Sequence, residues 1–416
     1  MSLQDVSNTG LGAALALYTL SFIVYMIALL GSKWKGRDPV QHKRKWGNAG
    51  FIIAVLGWVS QLTFFVTRWI YSGHTPVSNM FEFMTFLGMM IMLAFIIVYA
   101  IYRTPVLGMF ALPVGVVILG YASVFPWEVQ PLVPSLQSGF LSVHVTLAAT
   151  GEAFFAVGFA AGLMCLLKTV NFKGQSKIER RERKGVEFTL YAIVTIIAFV
   201  VLVTGFRAAG YEAVFVSEVY NQETEQFEEV EETYTLPPIF KPYDSETISV
   251  DSYFGIDRPL METPFWMQGV SAGRKWNTVV WSLLGGLLLY GLLRLLLRRP
   301  IGAVLQPLLK DLDADDLDEI SYRAIAIGFP IFTLGALIFA MIWAHYAWGR
   351  FWGWDPKEVW ALITWLFYSA YLHFRLSRGW QGKKSSWLAV IGFVIVMFTL
   401  VGVNLVISGL HSYAGV

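Results

Sequence analysis

The sequence predicts an all-α fold, a polytopic transmembrane helical bundle of about ten crossings with both termini outside. Three observations predict it. Of 416 residues, 56% are hydrophobic and only 14% are charged, too little charge to cover a soluble chain of this length. Apolar runs of about 20 residues, the length that spans a bilayer, recur along the chain. The connections between them carry basic charge in alternation, which fixes a direction for each crossing.

The runs lie near 11–31, 48–71, 80–102, 105–125, 138–167, 186–208, 275–297, 321–343, 357–377 and 386–407. Lys33, Lys35, Arg37, Lys43, Arg44 and Lys45 follow the first, and seven Lys and Arg from Lys168 to Lys184 follow the fifth. Arg294, Arg298 and Arg299 follow the seventh; Arg375, Arg378, Lys383 and Lys384 follow the ninth. Positive charge marks cytoplasmic connections, so 72–79, 126–137, 209–274, 344–356 and the tail after 407 face outward. No basic residue precedes the first apolar run, unlike a cleaved signal peptide. The single cysteine, Cys165, lies in an apolar run and reads as core; one thiol allows neither a disulfide within the chain nor a CxxC pair.

Between 211 and 262 the chain holds thirteen Asp and Glu against Lys241 and Arg258. This stretch reads as a small extracytoplasmic domain or solvated loop, or as a docking surface for a basic partner. Asp311 to Glu319 is a second acidic stretch, expected as a cytoplasmic surface helix. The chain therefore divides into helices 1–5 (1–184), a segment of two crossings around the acidic outer loop (185–317, loop 209–274) and the last three crossings (318–416).

The densest chemical signal is Trp343-Ala-His345-Tyr-Ala-Trp348-Gly-Arg-Phe351-Trp352-Gly-Trp354-Asp355-Pro356-Lys357-Glu358-Val-Trp360. Part of it is helix grammar: Asp355 can be an N-cap, Pro356 suits the first helical position and Glu358 completes a capping box. An interfacial aromatic belt normally contributes one or two rings per helix end, and Trp348, Phe351, Trp352 and Trp354 in one short loop exceed that. A hydrophobic platform beside a helix N-terminus suits a flat apolar ligand bearing carboxylates, such as haem. The six histidines then sort by depth. His42 sits in a basic cytoplasmic loop, expected solvated. His74 lies in an outward loop beside Asn79 and Glu82, with a structural or a chemical role equally open. His144, His345 and His411 lie at the outer face, with His144 and His411 a possible haem pair. His373 lies 17 residues below Pro356, about 26 Å along the helix, inside the membrane.

Trp348-Gly-x-x-Trp352-x-Trp354-Asp355-Pro-Lys-Glu358 resembles the tryptophan-rich (WWD) signature of the haem-handling protein superfamily. Tyr371-Leu372-His373-Phe-Arg375, Gly402-Val403-Asn404, Gly409-Leu410-His411-Ser412-Tyr413, the His74 loop and Ser142-Val-His144-Val resemble its CcsA (ResC, or CcsB-type) branch. The resemblance covers most of 50–170 and 318–413. It implies a multi-pass protein of the bacterial cytoplasmic membrane with its haem site on the extracytoplasmic face. The implied activity is that of a holocytochrome c synthase (haem lyase): haem b is moved outward and attached by thioether formation to CxxCH of apocytochrome c. By the resemblance His144 and His411 match the external axial ligands and His373 the transmembrane ligand. Trp348, Phe351, Trp352, Trp354, Asp355, Glu358 and Trp360 would hold the macrocycle. It also implies a CcsB/ResB-type membrane subunit, apocytochrome c and an extracytoplasmic thioredoxin-like thiol reductant as partners, with no nucleic acid. Shorter relatives have eight crossings, so 185–317 looks inserted. The rival readings are a haem exporter without ligation chemistry and a structural or quinone-binding respiratory subunit.

Overall fold

The computed structural model describes residues 2–33, 36, 38–129, 137–221, 226–253, 255, 257–267, 271–377 and 379–403. The helices are α1 (Leu3–Leu30), α2 (Pro39–Ser72), α3 (Met80–Tyr102), α4 (Pro105–Ala122), α5 (Gly139–Thr169) and α6 (Lys177–Ala208). Strands β1 (Ala213–Asn221), β2 (Gln226–Tyr234), β3 (Phe240–Lys241), β4 (Ser245–Val250) and β5 (Met261–Glu262) follow, then α7 (Ala272–Leu297). The chain closes with α8 (Ala314–Trp348), α9 (Pro356–Leu376) and α10 (Lys383–Gly402). Among the described residues, nine helices are long and apolar enough to cross a membrane. The predicted ninth crossing, α9, is a full 21-residue helix. Lys357, Glu358, His373 and Arg375 make it less apolar than the rest, which is why it falls outside that set.

Two compact units form: residues 1–186 with 302–416, and residues 187–301. In the first, α5 is the central post, its C-terminal half buried on all sides between α3, α8 and α10. Small residues make this possible. At Gly335 of α8 a Cβ would collide with the Ala148 backbone, so only glycine lets the two helices come this close. The α1–α2–α3 layer is tied by side chains: Tyr18 donates to Gln61 (2.7 Å), and Gln61 donates to the Thr85 carbonyl (2.9 Å). Local signals set the helix ends. Asp38 caps α2 through the Val40 N–H with Pro39 at the first position, and α2 stops at Gly73, whose φ of 75° suits glycine.

Two expectations change. His42 is buried, not solvated: it lies inside α2, and Nε2 contacts the Ile27 carbonyl at 3.0 Å. Asp311 to Glu319 is no separate surface helix, because Asp313 caps α8 and Asp315 to Glu319 are its first turns. There Asp318 is buried and pairs with Arg375 of α9 (2.9 Å). Cys165 is buried, as expected.

In the second unit the acidic stretch is ordered, with an antiparallel sheet of order β2–β1–β4 and a short parallel β3–β5 pair. Ala213, Phe215 and Tyr234 point inward, while Glu218 of β1 lies directly opposite Glu229 of β2. Asn277 of α7 accepts from the Ile239 N–H (2.8 Å) and donates to the Pro237 carbonyl (3.1 Å), so one amide fastens the loop after β2.

Candidate functional site

The first unit encloses a cavity of about 190 Å³ between the start of α5, the loop before α3, the middle and end of α8, the start of α9 and the end of α10. Two of its walls are π-helical: Thr333–Phe339 within α8 and Phe398–Gly402 at the end of α10. A π segment widens the helix and displaces its carbonyls from the α-helical ladder, a device that recurs at functional sites.

The Gly335 carbonyl of the first π segment meets Nδ1 of His144 at 3.0 Å. A carbonyl can only accept, so Nδ1 carries the proton and the lone pair of the neutral ring sits on Nε2, the tautomer a metal ligand requires. The imidazole is parallel to the Trp343 indole (5.8 Å between centroids, 7°), and Trp343 packs edge-on against Trp348 (4.8 Å). His144 is thus held in rotation by stacking and in tautomer by a hydrogen bond.

The tryptophan loop divides into inner and outer rings. Trp348, Phe351 and Trp352 line the cavity with His144. Trp354 does not: it is 70% exposed, and its φ of 57°, unusual for a bulky residue, turns it away from the wall. Phe351 is also exposed in part, and it stacks on His345 (4.4 Å, 7°), so His345 belongs to the rim. Trp360 packs on Phe398, one layer behind.

Asp355 and Glu358 form the capping box that their spacing predicts. Asp355 accepts from the Lys357 N–H (3.2 Å), and Glu358 accepts from the N–H groups of Gly353 (2.8 Å) and Asp355 (3.2 Å). Both carboxylates are committed to holding the loop on α9, although Glu358 also borders the cavity.

Some residues escaped the sequence reading. Glu152, two turns along α5 from His144, lines the cavity at 6% exposure, and its Oε2 has no hydrogen-bond partner among the described residues. Thr399 and Leu400 line it from the second π segment. Behind the wall, Arg68 of α2 donates to Glu82 (2.8 Å), the Tyr71 hydroxyl (2.9 Å) and the Trp127 carbonyl (2.9 Å). Glu82 also takes the N–H and hydroxyl of Ser78, which pins the 73–79 loop that borders the cavity. A charge inside an apolar run was the available signal for both Arg68 and Glu152. Asn79 caps α3 by accepting from the Glu82 N–H, which leaves the Glu82 carboxylate for Arg68 and Ser78.

His74 occupies a neighbouring cleft; its Nδ1 meets the Thr75 carbonyl (3.1 Å), and its Nε2 is buried with no partner among the described residues. His373, near the other end of α9, is exposed on the surface of the chain, with the Phe374 ring beside it. His411 and the Gly409–Tyr413 run lie outside the described residues.

Comparison with known proteins matches residues 276–411 to the family described as Cytochrome C assembly protein. The chain is similar to the cytochrome c biogenesis protein CcsA of Trichormus variabilis, with 31% identity over 99% of both chains. It is 32% identical to CcsA of Gloeothece citriformis over 95% of this chain and 94% of that one. The Trichormus alignment runs through both compact units. With that identity along the whole chain and a membrane-spanning helical architecture, the protein belongs to the CcsA family of cytochrome c biogenesis proteins.

Proposed function

We propose that this chain brings haem to the outer face of the bacterial cytoplasmic membrane and attaches it to the CxxCH motif of apocytochrome c, acting with a CcsB/ResB-type membrane subunit. The observation that carries the reading is His144, fixed in the ligating tautomer at a cavity bordered by Trp348 and Trp352. The cavity is smaller than the roughly 300–1,000 Å³ that usually encloses a drug-sized ligand. It therefore takes an edge of the macrocycle, and the exposed Phe351 at its rim covers part of the remainder. His411 supplies the second axial nitrogen.

His373 supports the partnership. Its exposure on the chain's own surface suits a shared transmembrane site completed by a histidine of the other subunit. Haem supplies the electrophilic vinyl groups. Each cysteine thiolate adds its sulfur to the inner vinyl carbon while a proton goes to the outer one, so the thioether forms without net oxidation or reduction. The thiols must arrive reduced, which calls for the extracytoplasmic thioredoxin-like reductant. This chain supplies positioning, which converts two mobile reactants into one held geometry.

The test is reconstitution of the full chain and its partner with haem and a reduced CxxCH-bearing apocytochrome, read by the pyridine haemochrome spectrum. A shift from the vinyl to the thioether band supports ligation. Retention of a b-type spectrum with haem bound would instead mark the chain as an exporter.

A further inference from the structure

We infer that Lys357 reads the carboxylates of the bound ligand, an assignment that rests on the haem reading of the same cavity. A haem brings two propionates into a largely apolar space, and an ionised carboxylate desolvated without a partner is costly. The site must therefore offer a cation or a set of N–H donors.

The obvious donors are already taken. The N-terminus of α9 points at the cavity, but its capping box fills it: Asp355 and Glu358 accept from the N–H groups of Gly353, Asp355 and Lys357. Lys357 is then the one Lys or Arg among the described residues that line the cavity. Its side chain is half-buried and makes no hydrogen bond or ion pair among the described residues. The Asp355 charge acts on it only through space. Arg350, the nearest alternative in sequence, is exposed and does not line the wall.

The acidic groups agree with this placement. Glu152 lines the cavity eight residues along α5 from His144, about 12 Å of helix, and a carboxyl there offers a propionate no cation. The carboxylate edge of the ring therefore belongs at the start of α9. Protohaem carries its vinyls on the other side of the ring, so Lys357 also sets which edge is left for the incoming thiols.

The experiment titrates the full-length protein, purified with its partner, with ferric haem and with haem dimethyl ester, followed by Soret absorbance. Wild type should bind haem at least tenfold more tightly than the ester, since a hydrogen bond to a charged group is worth about a tenfold factor or more. Lys357→Gln should lose that preference by weakening haem while leaving the ester within about twofold. Lys357→Arg should keep a preference, and Arg350→Gln should match wild type. A wild type that binds both ligands equally, or a Lys357→Gln variant that still prefers haem, overturns the inference. Failure of wild type to bind either ligand would sink the haem reading itself, and the two failures are distinct.

Discussion

His144 and His373 resemble each other in sequence, each a histidine in an apolar helix, and differ in every physical respect in the structure. His144 is stacked on Trp343, hydrogen-bonded to Gly335 and set in the wall of a cavity. His373 stands exposed on α9. The first is a pre-organised imidazole whose orientation the chain determines alone. The second has its geometry left open. On the proposed function, one chain would hold a finished half-site and an unfinished one.

The largest expected effect breaks this contrast directly. His144→Gly should abolish haem binding at the outer cavity, and added imidazole should restore part of it, because the Trp343 face and the Gly335 carbonyl remain to hold a small ring. His373→Gly should leave binding of added haem at the outer cavity intact in the isolated chain, and reduce haem only when the partner must deliver it. Soret titration with and without imidazole measures both. Equal loss from the two variants in the isolated chain would erase the distinction.

A second expectation tests what holds the finished half-site. Arg68 and Glu82 are fully buried and bonded on every side, so Arg68→Ala should destabilise the chain by about 3–5 kcal/mol, since it leaves Glu82 buried and unpaired. Arg68→Ala with Glu82→Ala should recover part of the loss. Denaturant unfolding in detergent reads the change, and a loss below about 1 kcal/mol would show that the pair is not the pin of the 73–79 loop.

The smallest effect contrasts this pair with an acid that lacks such partners. Glu232 of β2 is buried beside Arg274 (3.4 Å), and neither of its oxygens has a hydrogen-bond partner among the described residues. Burial raises its pKa, and Arg274 offsets this only in part. The folded sheet then holds the proton more tightly than the unfolded chain. Its stability is greatest below the ordinary glutamate pKa of about 4.3 and falls as pH rises through the raised value. Amide hydrogen exchange in β1 and β2, corrected for intrinsic rates, should show that decline, and Glu232→Gln should flatten it.

Those partners also mark where sequence stopped being informative. The spans were legible because about 20 consecutive apolar residues have few other uses, and the Asp355–Pro356–Glu358 cap because its donors lie within five residues of their acceptors. Arg68, His42 and Asp318 were not, since each is satisfied by groups far along the chain that no local pattern announces. The acidic sheet was hidden for a different reason. Its outward face carries Glu218 opposite Glu229, like charges that a strand pattern normally avoids, and the signal reads as solvated loop. The π segments had no signature at all. Of the cavity, the tryptophans and His144 were readable from residue type and depth, whereas Glu152 and the second π wall required the fold.

The length of α8 has a mechanical consequence. Its 35 residues extend about 52 Å, and a hydrocarbon core of about 30 Å covers only some twenty of them. The surplus must emerge at both faces or be absorbed by tilt: Asp315 to Glu319 at one end, His345 to Trp348 at the other. Lipid chain length therefore sets how far the tryptophan loop stands clear of the headgroups. A thicker bilayer would sink the loop toward the acyl chains, making membrane thickness a control on how much of it meets water.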